Sequence, residues 1–307
     1  MVILVGLLAA VSLGLGYVLQ QRVAATAPLE EMLHFRLLFD LMRRPLWWAG
    51  IGAMVIGELL GGFALQLASV GMVEPLLSAN LLFALLFANL LSHHRVCWQE
   101  IGGAALLCAA LGVFIAVGNP HGTTAAPDLD DFRVYLAVGC VAGAILTLVA
   151  VGKTRALVGE SVLLAIGAGI LYGMQDASTR AALVVADHHG VPALLYYPWA
   201  WIVIGAAVVG ILLSQSAFKA ARLDYSLPPI AAAEPLTGIA LGVTLLGDTL
   251  SVSTGALAVE ACCVAAMILG VALIGRSPSL AGHSPRALAG FLGRGISPAR
   301  GEPAGPA

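Results

Sequence analysis

The sequence contains few charged side chains. Only 10% of its 307 residues are charged, whereas soluble domains carry roughly 25%. The 15 lysines and arginines nearly balance the 17 aspartates and glutamates, so the net charge is −2 and no nucleic-acid partner is expected. Hydrophobic residues make up 60% of the chain, and the mean hydropathy is +0.95. This composition excludes an ordinary soluble domain and predicts an all-α polytopic membrane protein.

The motifs of common enzymes and metal sites are missing as well. The sequence has no HExxH, no GxSxG and no Walker loop, so we predict no catalytic residues, no enzymatic activity and no built-in ATPase. Its five cysteines lack metal-ligand spacing, and we interpret them as small packing residues. No cofactor is expected, although a proton or a divalent cation could serve as a coupling ion.

Apolar runs of the length that crosses a bilayer, about 20 residues, recur along the chain. No basic residue precedes the first run, which argues against a cleaved secretory signal. Residues 30–44 carry too many charges to span and are predicted to lie at the membrane interface. The nine predicted spans are Val2–Gln20, Trp47–Ala68, Val70–Leu91, Trp98–Val117, Phe132–Val151, Ser161–Leu183, Ala193–Leu213, Leu227–Leu246 and Thr254–Gly275.

The basic residues predict the orientation of these spans. Thirteen of them fall on one side, and only Arg133 and Arg180 fall on the other. Cytoplasmic loops are rich in Lys and Arg, so we predict an outside N-terminus, a cytoplasmic C-terminus and a plasma (inner) membrane location. The thirteen are Arg22, Arg36, Arg43, Arg44, Arg95, Lys153, Arg155, Lys219, Arg222, Arg276, Arg286, Arg294 and Arg300.

A Glu-Pro dipeptide occurs in two of the apolar runs. Glu234-Pro235 follows Glu74-Pro75 by 160 residues. Weaker matches occur in the same order, so that the first four predicted spans match the last four and the fifth span stands between them. An offset of five spans reverses membrane direction, which predicts two inverted four-helix repeats, an arrangement common among transporters. We therefore divide the chain into a first repeat, an outer acidic loop with a linker helix, a second repeat and a disordered cytosolic tail. Their ranges are 1–118, 119–159, 160–275 and 276–307.

The first half of the chain contains Trp47-Trp48-Ala49-Gly50, Met54, Gly57-Glu58, Val73, Pro75-Leu76, Gly103 and Leu107-Cys108. In these residues it resembles NIPA-type magnesium transporters, except that Glu74-Pro75 stands where eukaryotic NIPA proteins have Thr-Pro. The second half contains Ala221-Arg222-Leu223, Ser226-Leu227-Pro228 and Glu234-Pro235-Leu236, and there it resembles the EamA-type exporters. Both groups belong to the drug/metabolite transporter (DMT) superfamily. The resemblance implies a secondary transporter of a small solute, or of Mg²⁺ as in the NIPA branch.

Carboxylates within the apolar runs are the candidate substrate or ion ligands. Each costs roughly 2.5–3.5 kcal/mol to place in hydrocarbon even on a lenient scale, so we predict that they line one site between the repeats. The candidate residues are Glu58, Glu74, Glu234 and Glu260, with Asn80 and Gln66 as neutral oxygen donors. Asp176 and Arg180 are spaced for a structural i,i+4 ion pair.

These residues do not specify the transported solute or the direction of its transport, and a homodimer is compatible with them. The alternative of another class is a non-catalytic membrane scaffold, which would not need to retain carboxylates inside the bilayer. The lipid bilayer and a small solute or cation are the expected partners.

Overall fold

The computed structural model describes residues 1–67, 73, 76–92, 98–118, 131–246 and 254–275. Within these ranges the chain is helical and has no strand, which confirms the all-α prediction. Two 3-10 turns occur, at Leu29–Glu31 and Val191–Leu195. The α-helices are α1 (Val2–Ala24), α2 (Phe35–Met42), α3 (Pro45–Leu67), α4 (Asn80–Ser92), α5 (Trp98–Gly118), α6 (Asp131–Gly152), α7 (Leu157–His189), α8 (Pro198–Ala220), α9 (Leu223–Leu245) and α10 (Thr254–Gly275).

Six described helices are long and apolar enough to cross a membrane. They are α1, α3, α5, α6, α7 and α8, and they make the chain a membrane-embedded protein. Helices α4 and α10 are apolar but contribute shorter segments, Leu76–Leu91 and Ala258–Ile274, to the described part. Each of the nine predicted spans overlaps one of these helices or α9, whereas the number that cross a bilayer stays a prediction.

Helix α8 begins later than the sequence pattern suggested. The predicted span was Ala193–Leu213, but residues Val191–Leu195 form a 3-10 turn and the helix begins at Pro198. Proline is well suited to the first turn of a helix, because the N–H it lacks would have no partner there and its φ is already helical. Hydropathy alone could not separate the apolar turn from the helix that follows it.

The predicted interfacial segment, residues 30–44, contains the short helix α2. Leu37 and Leu41, one turn apart, are buried in the main core, and α2 packs on α8. Phe35, Phe39 and Met42 remain exposed on the protein surface. The segment is therefore helical and attached to the helix bundle, with apolar side chains on two faces.

Helix α1 is the centre of the first half. It runs antiparallel to α3, where Gly16 lies against Gly50 and Leu13 lies against Gly57. It also packs on α4, since an added Cβ at Gly14 would lie 2.8 Å from the Asn80 carbonyl oxygen. Glycines at these crossings let the backbones approach closely, as is common between membrane helices.

Helix α7 has the same kind of neighbours in the second half. It runs antiparallel to α8, where Gly210 lies against Tyr172, and it packs lengthwise along α9. An added Cβ at Gly173 would collide with the Glu234 carbonyl and lie 2.7 Å from the Gly238 amide nitrogen. In each half, therefore, one central helix packs between an antiparallel helix and a second helix: α1 between α3 and α4, and α7 between α8 and α9.

The two halves meet through several helix pairs. Helices α5 and α10 cross so tightly that an added Cβ at Gly103 would lie 2.7 Å from the carbonyl oxygen of Gly270. Helix α9 contacts α4 and α5, and α1 contacts α8. Helix α6, predicted to be a linker, packs mainly on α7.

Some sequence predictions lie outside the described residues. These are Glu74 and Pro75, the predicted tail 276–307 and the acidic loop before α6. The side chain of Gln66 also lies outside the description, although its backbone belongs to α3.

Candidate functional site

Two carboxylates on different helices lie within electrostatic range of each other. They are Glu58, in the central part of α3, and Asp176, in the central part of α7. Both side chains are exposed rather than packed in the core. Because the interaction joins α3 to α7, these side chains face a region shared by the two halves of the chain.

A tyrosine of α1 belongs to the same region. Tyr17 interacts electrostatically with Glu234, Tyr172, Glu58 and Asp176. These five side chains come from α1, α3, α7 and α9, which places two elements of each half around one polar centre. We refer to Tyr17, Glu58, Tyr172, Asp176 and Glu234 as the central polar cluster.

The second tyrosine of the central polar cluster is held by a hydrogen bond. The Tyr172 hydroxyl and Ser214 Oγ on α8 are 2.9 Å apart, and Ser214 also donates to the Ile211 carbonyl at 3.0 Å. Tyr172 interacts electrostatically with Glu234. The phenol is thus fixed beside the carboxylate by a neighbour on another helix.

Local features of α9 set the position of Glu234. The helix continues through Pro235, which has no N–H to donate to the Ala231 carbonyl one turn earlier. On the same stretch, α7 approaches closely because Gly173 has no side chain. Glu234 is half-buried, and a proline beside a carboxylate loosens a membrane helix where an ion could be coordinated.

A buried amide network adjoins the central polar cluster. Gln215 Nε2 on α8 donates to Gln20 Oε1 on α1 at 2.5 Å, and Gln20 Nε2 donates to Met54 Sδ on α3 at 2.8 Å. Gln20 lies one turn after Tyr17, and Gln215 directly follows Ser214. The Oε1 atom of Gln215 is buried without a hydrogen-bond partner among the described residues. This network ties the first half of the chain to the second.

The remaining predicted ligands lie apart or outside the description. Asn80 is half-buried at the start of α4, and its Oδ1 is buried without a hydrogen-bond partner among the described residues. Glu260 is half-buried on α10. The Asp176–Arg180 ion pair stays a prediction. Both side chains are exposed on α7, and Asp176 lies within electrostatic range of Glu58.

The central polar cluster does not form a ready-made metal centre. Among the described residues, no group of three or more His, Cys, Asp or Glu side chains is placed to hold a metal ion. Glu58 and Asp176 lie within electrostatic range of each other, whereas Glu234 interacts with Tyr17 and Tyr172. A cation bound there would keep waters in its coordination shell, as Mg²⁺ commonly does.

A second group of buried charges lies at one end of the helix bundle. Arg222 Nη2 and Asp224 Oδ2 are 2.8 Å apart at the start of α9. Glu100, in the first turn of α5, is buried and interacts electrostatically with Tyr225. This group connects the beginnings of α5 and α9 and is separated from the central polar cluster by nearly half of α9.

Sequence reasoning missed most of the polar side chains around the carboxylates. Tyr17, Tyr172 and Ser214 look like ordinary residues of an amphipathic or packing surface, and Gln20 and Gln215 each occur singly in apolar runs. One signal was present: the weaker repeat matches include Gly14-Leu15-Gly16-Tyr17, which resembles Ile170-Leu171-Tyr172-Gly173. Asp176 was assigned to a local ion pair because sequence spacing shows neighbours along a helix but not across helices.

Comparison with known proteins adds one relative and no function. An uncharacterized protein of Corynebacterium glutamicum is 29% identical to this chain over 253 residues, which cover 81% of the chain and 86% of the relative. No protein-family model matches the chain, and no solved structure matches it. The similarity therefore extends over most of both proteins without naming what either one does.

Proposed function

We propose that this protein is a secondary transporter of the drug/metabolite type that moves a small solute or cation across the plasma membrane by alternating access. The observation that carries the proposal is the central polar cluster, in which Glu58 of α3 interacts with Asp176 of α7. Carboxylates in a membrane-embedded bundle mark substrate or ion pathways more often than they mark packing. A scaffold would have no use for this arrangement.

The helix packing supports the same proposal. Helices α1, α3 and α4 are arranged around one another as α7, α8 and α9 are, which is what two inverted repeats would produce. Transporters built from such repeats bind substrate near the bilayer midplane between them. In our proposal the first half rocks against the second half about the central polar cluster, with the N-terminus outside and the C-terminus in the cytosol.

The charge of the central polar cluster favours a positively charged cargo or coupling ion. An added cation or proton relieves the repulsion between neighbouring carboxylates. Glu58, Asp176 and Glu234 therefore suit an organic cation, a metal ion with its waters, or a proton exchanged for another solute. Mg²⁺ is the second candidate, because carboxylate oxygens are ligands that it accepts.

A thermal-shift panel on purified protein in detergent tests the proposal. The panel contains MgCl₂, MnCl₂, amino acids, and primary and quaternary amines. A compound that binds the folded state raises its melting temperature. We expect at least one compound to stabilise the wild type, and Glu58→Gln to lose that stabilisation because it keeps the shape of the side chain without its charge.

The matched control is Glu30→Gln. Glu30 is an exposed carboxylate in the 3-10 turn before α2, so its loss changes the net charge equally without touching the central polar cluster. Stabilisation that survives in Glu58→Gln, or disappears equally in Glu30→Gln, would place binding elsewhere and contradict the proposal.

A further inference from the structure

A pocket lies where α1 ends and α3 begins. Its volume is about 660 Å³. Its lining residues are Arg22, Val23, Thr26, Asp40, Arg43, Arg44, Pro45 and Leu46. Three arginines against one aspartate leave this pocket with an excess of two positive charges, which is unusual in a chain whose net charge is −2.

The arginine side chains are only lightly engaged by the protein. Arg43 Nη1 is 3.8 Å from Asp40 Oδ1, and Arg43 is highly exposed. Arg22 Nη2 donates to the Leu91 carbonyl at 2.9 Å, which leaves other N–H groups of its guanidinium available. Within the described residues no ion pair involves Arg44. The pocket can therefore accept an anion without first breaking a strong ion pair.

The surface beside the pocket is apolar. Phe35, Phe39 and Met42 of α2 are exposed and recur with helical spacing, whereas the other apolar side of α2 is buried in the core. Trp48 is also exposed, and its Nε1 donates to the Met42 carbonyl at 2.8 Å. Exposed aromatic and apolar side chains next to arginines are typical of helices that lie at the boundary between headgroups and acyl chains.

We propose that this pocket binds the phosphate of an anionic phospholipid from the surrounding leaflet. Guanidinium groups bind phosphate oxygens through paired, charge-assisted hydrogen bonds, and basic pockets between membrane helices take anionic headgroups. The acyl chains would lie along Phe39 and Met42. The N-terminus of α3 begins at the pocket and adds a favourable dipole for an anion. The inference needs only that the protein is embedded in a membrane and does not depend on transport.

Native mass spectrometry of the full chain in detergent tests this site with two lipids that differ in charge, phosphatidylglycerol and phosphatidylcholine. We expect tighter binding of phosphatidylglycerol by the wild type. Arg44→Gln should weaken that binding about fivefold, because one basic residue near a membrane surface contributes about 1 kcal/mol to the binding of anionic lipid. Arg44→Lys keeps the charge but not the paired N–H groups and should recover part of the loss, while Arg155→Gln, on the exposed turn between α6 and α7, should change nothing.

Three results would overturn the assignment. Equal affinity for the two lipids, or an unchanged affinity in Arg44→Gln, would show that the arginines do not select a headgroup. Inorganic phosphate that competes at the same concentration as the lipid would show a free-anion site instead. Arg44→Lys guards against loss of folding, because binding that it restores cannot have been lost through misfolding of the site.

Discussion

Gln215 and Gln20 form a buried hydrogen bond between the two halves of the chain, with 2.5 Å between Nε2 and Oε1. The bond joins α8 to α1, and Gln20 continues the network to Met54 on α3. Two neighbouring contacts reinforce this side of the interface: Lys219 Nζ donates to the Ala25 carbonyl at 2.9 Å, and the Leu33 amide donates to Ser216 Oγ at 3.0 Å. Any motion that separates α1 from α8 must break these bonds.

The first prediction concerns the stability of this amide pair. Gln215→Ala removes the donor and leaves Gln20 Oε1 buried without that bond, which should cost about 1 kcal/mol and lower the melting temperature by about 2–4 °C. Thermal unfolding in detergent measures the change. Gln21→Ala is the matched control, since Gln21 is next along α1 and only half-buried. Equal melting temperatures for the two variants would show that the bond does not hold the halves together.

The second prediction concerns the contact that positions Glu234. Gly173→Ala forces a methyl group against the Glu234 carbonyl and the Gly238 amide, and overpacking of this kind typically costs about 1–3 kcal/mol. Gly205→Ala on α8 meets nothing within 4 Å and should be neutral or slightly stabilising, because alanine favours a helix. Thermal unfolding of both variants in one detergent compares them. A Gly173→Ala protein as stable as Gly205→Ala would mean that the helices separate there without cost.

The third prediction concerns the orientation of α7. Paired reporters, alkaline phosphatase and a fluorescent protein, would be fused after Lys153 and after Gly190, on either side of this helix. The positive-inside rule leads us to expect fluorescence after Lys153, in the cytosol, and phosphatase activity after Gly190, outside. The opposite pattern would reverse the predicted topology while leaving the helix packing unaffected.

Much of the fold could be predicted from the sequence because apolar runs determine where membrane helices form. The predicted span Thr254–Gly275 has the same bounds as α10, and Trp98–Val117 differs from α5 by one residue. Errors came where local chemistry overrides hydropathy. The start of α8 depends on Pro198, and α7 extends to His189 because polar residues at a helix end do not interrupt its hydrogen bonds.

The candidate site could be predicted only in part from the sequence. Glu58 and Glu234 were singled out because a carboxylate in an apolar run is costly; both lie within electrostatic range of Tyr17, and their role as ligands stays a prediction. Asp176 was paired with Arg180 because a single sequence shows spacing along α7, and that pair stays a prediction; its proximity to Glu58 depends on how the helices pack. The arginine pocket could not be predicted from the sequence either, because Arg22 and Arg44 come together only when α1 and α3 pack.

The most direct test of the central claim is uptake into proteoliposomes of the compound that most stabilises the wild type. The measured quantity is the initial uptake rate, compared among the wild type, Glu58→Gln, Asp176→Asn and the control Glu30→Gln. We expect the wild type and Glu30→Gln to transport at similar rates, and both variants of the central polar cluster to fall to the rate of empty vesicles while remaining folded. Uptake by Glu58→Gln and Asp176→Asn at the wild-type rate would contradict a transport site built on these carboxylates.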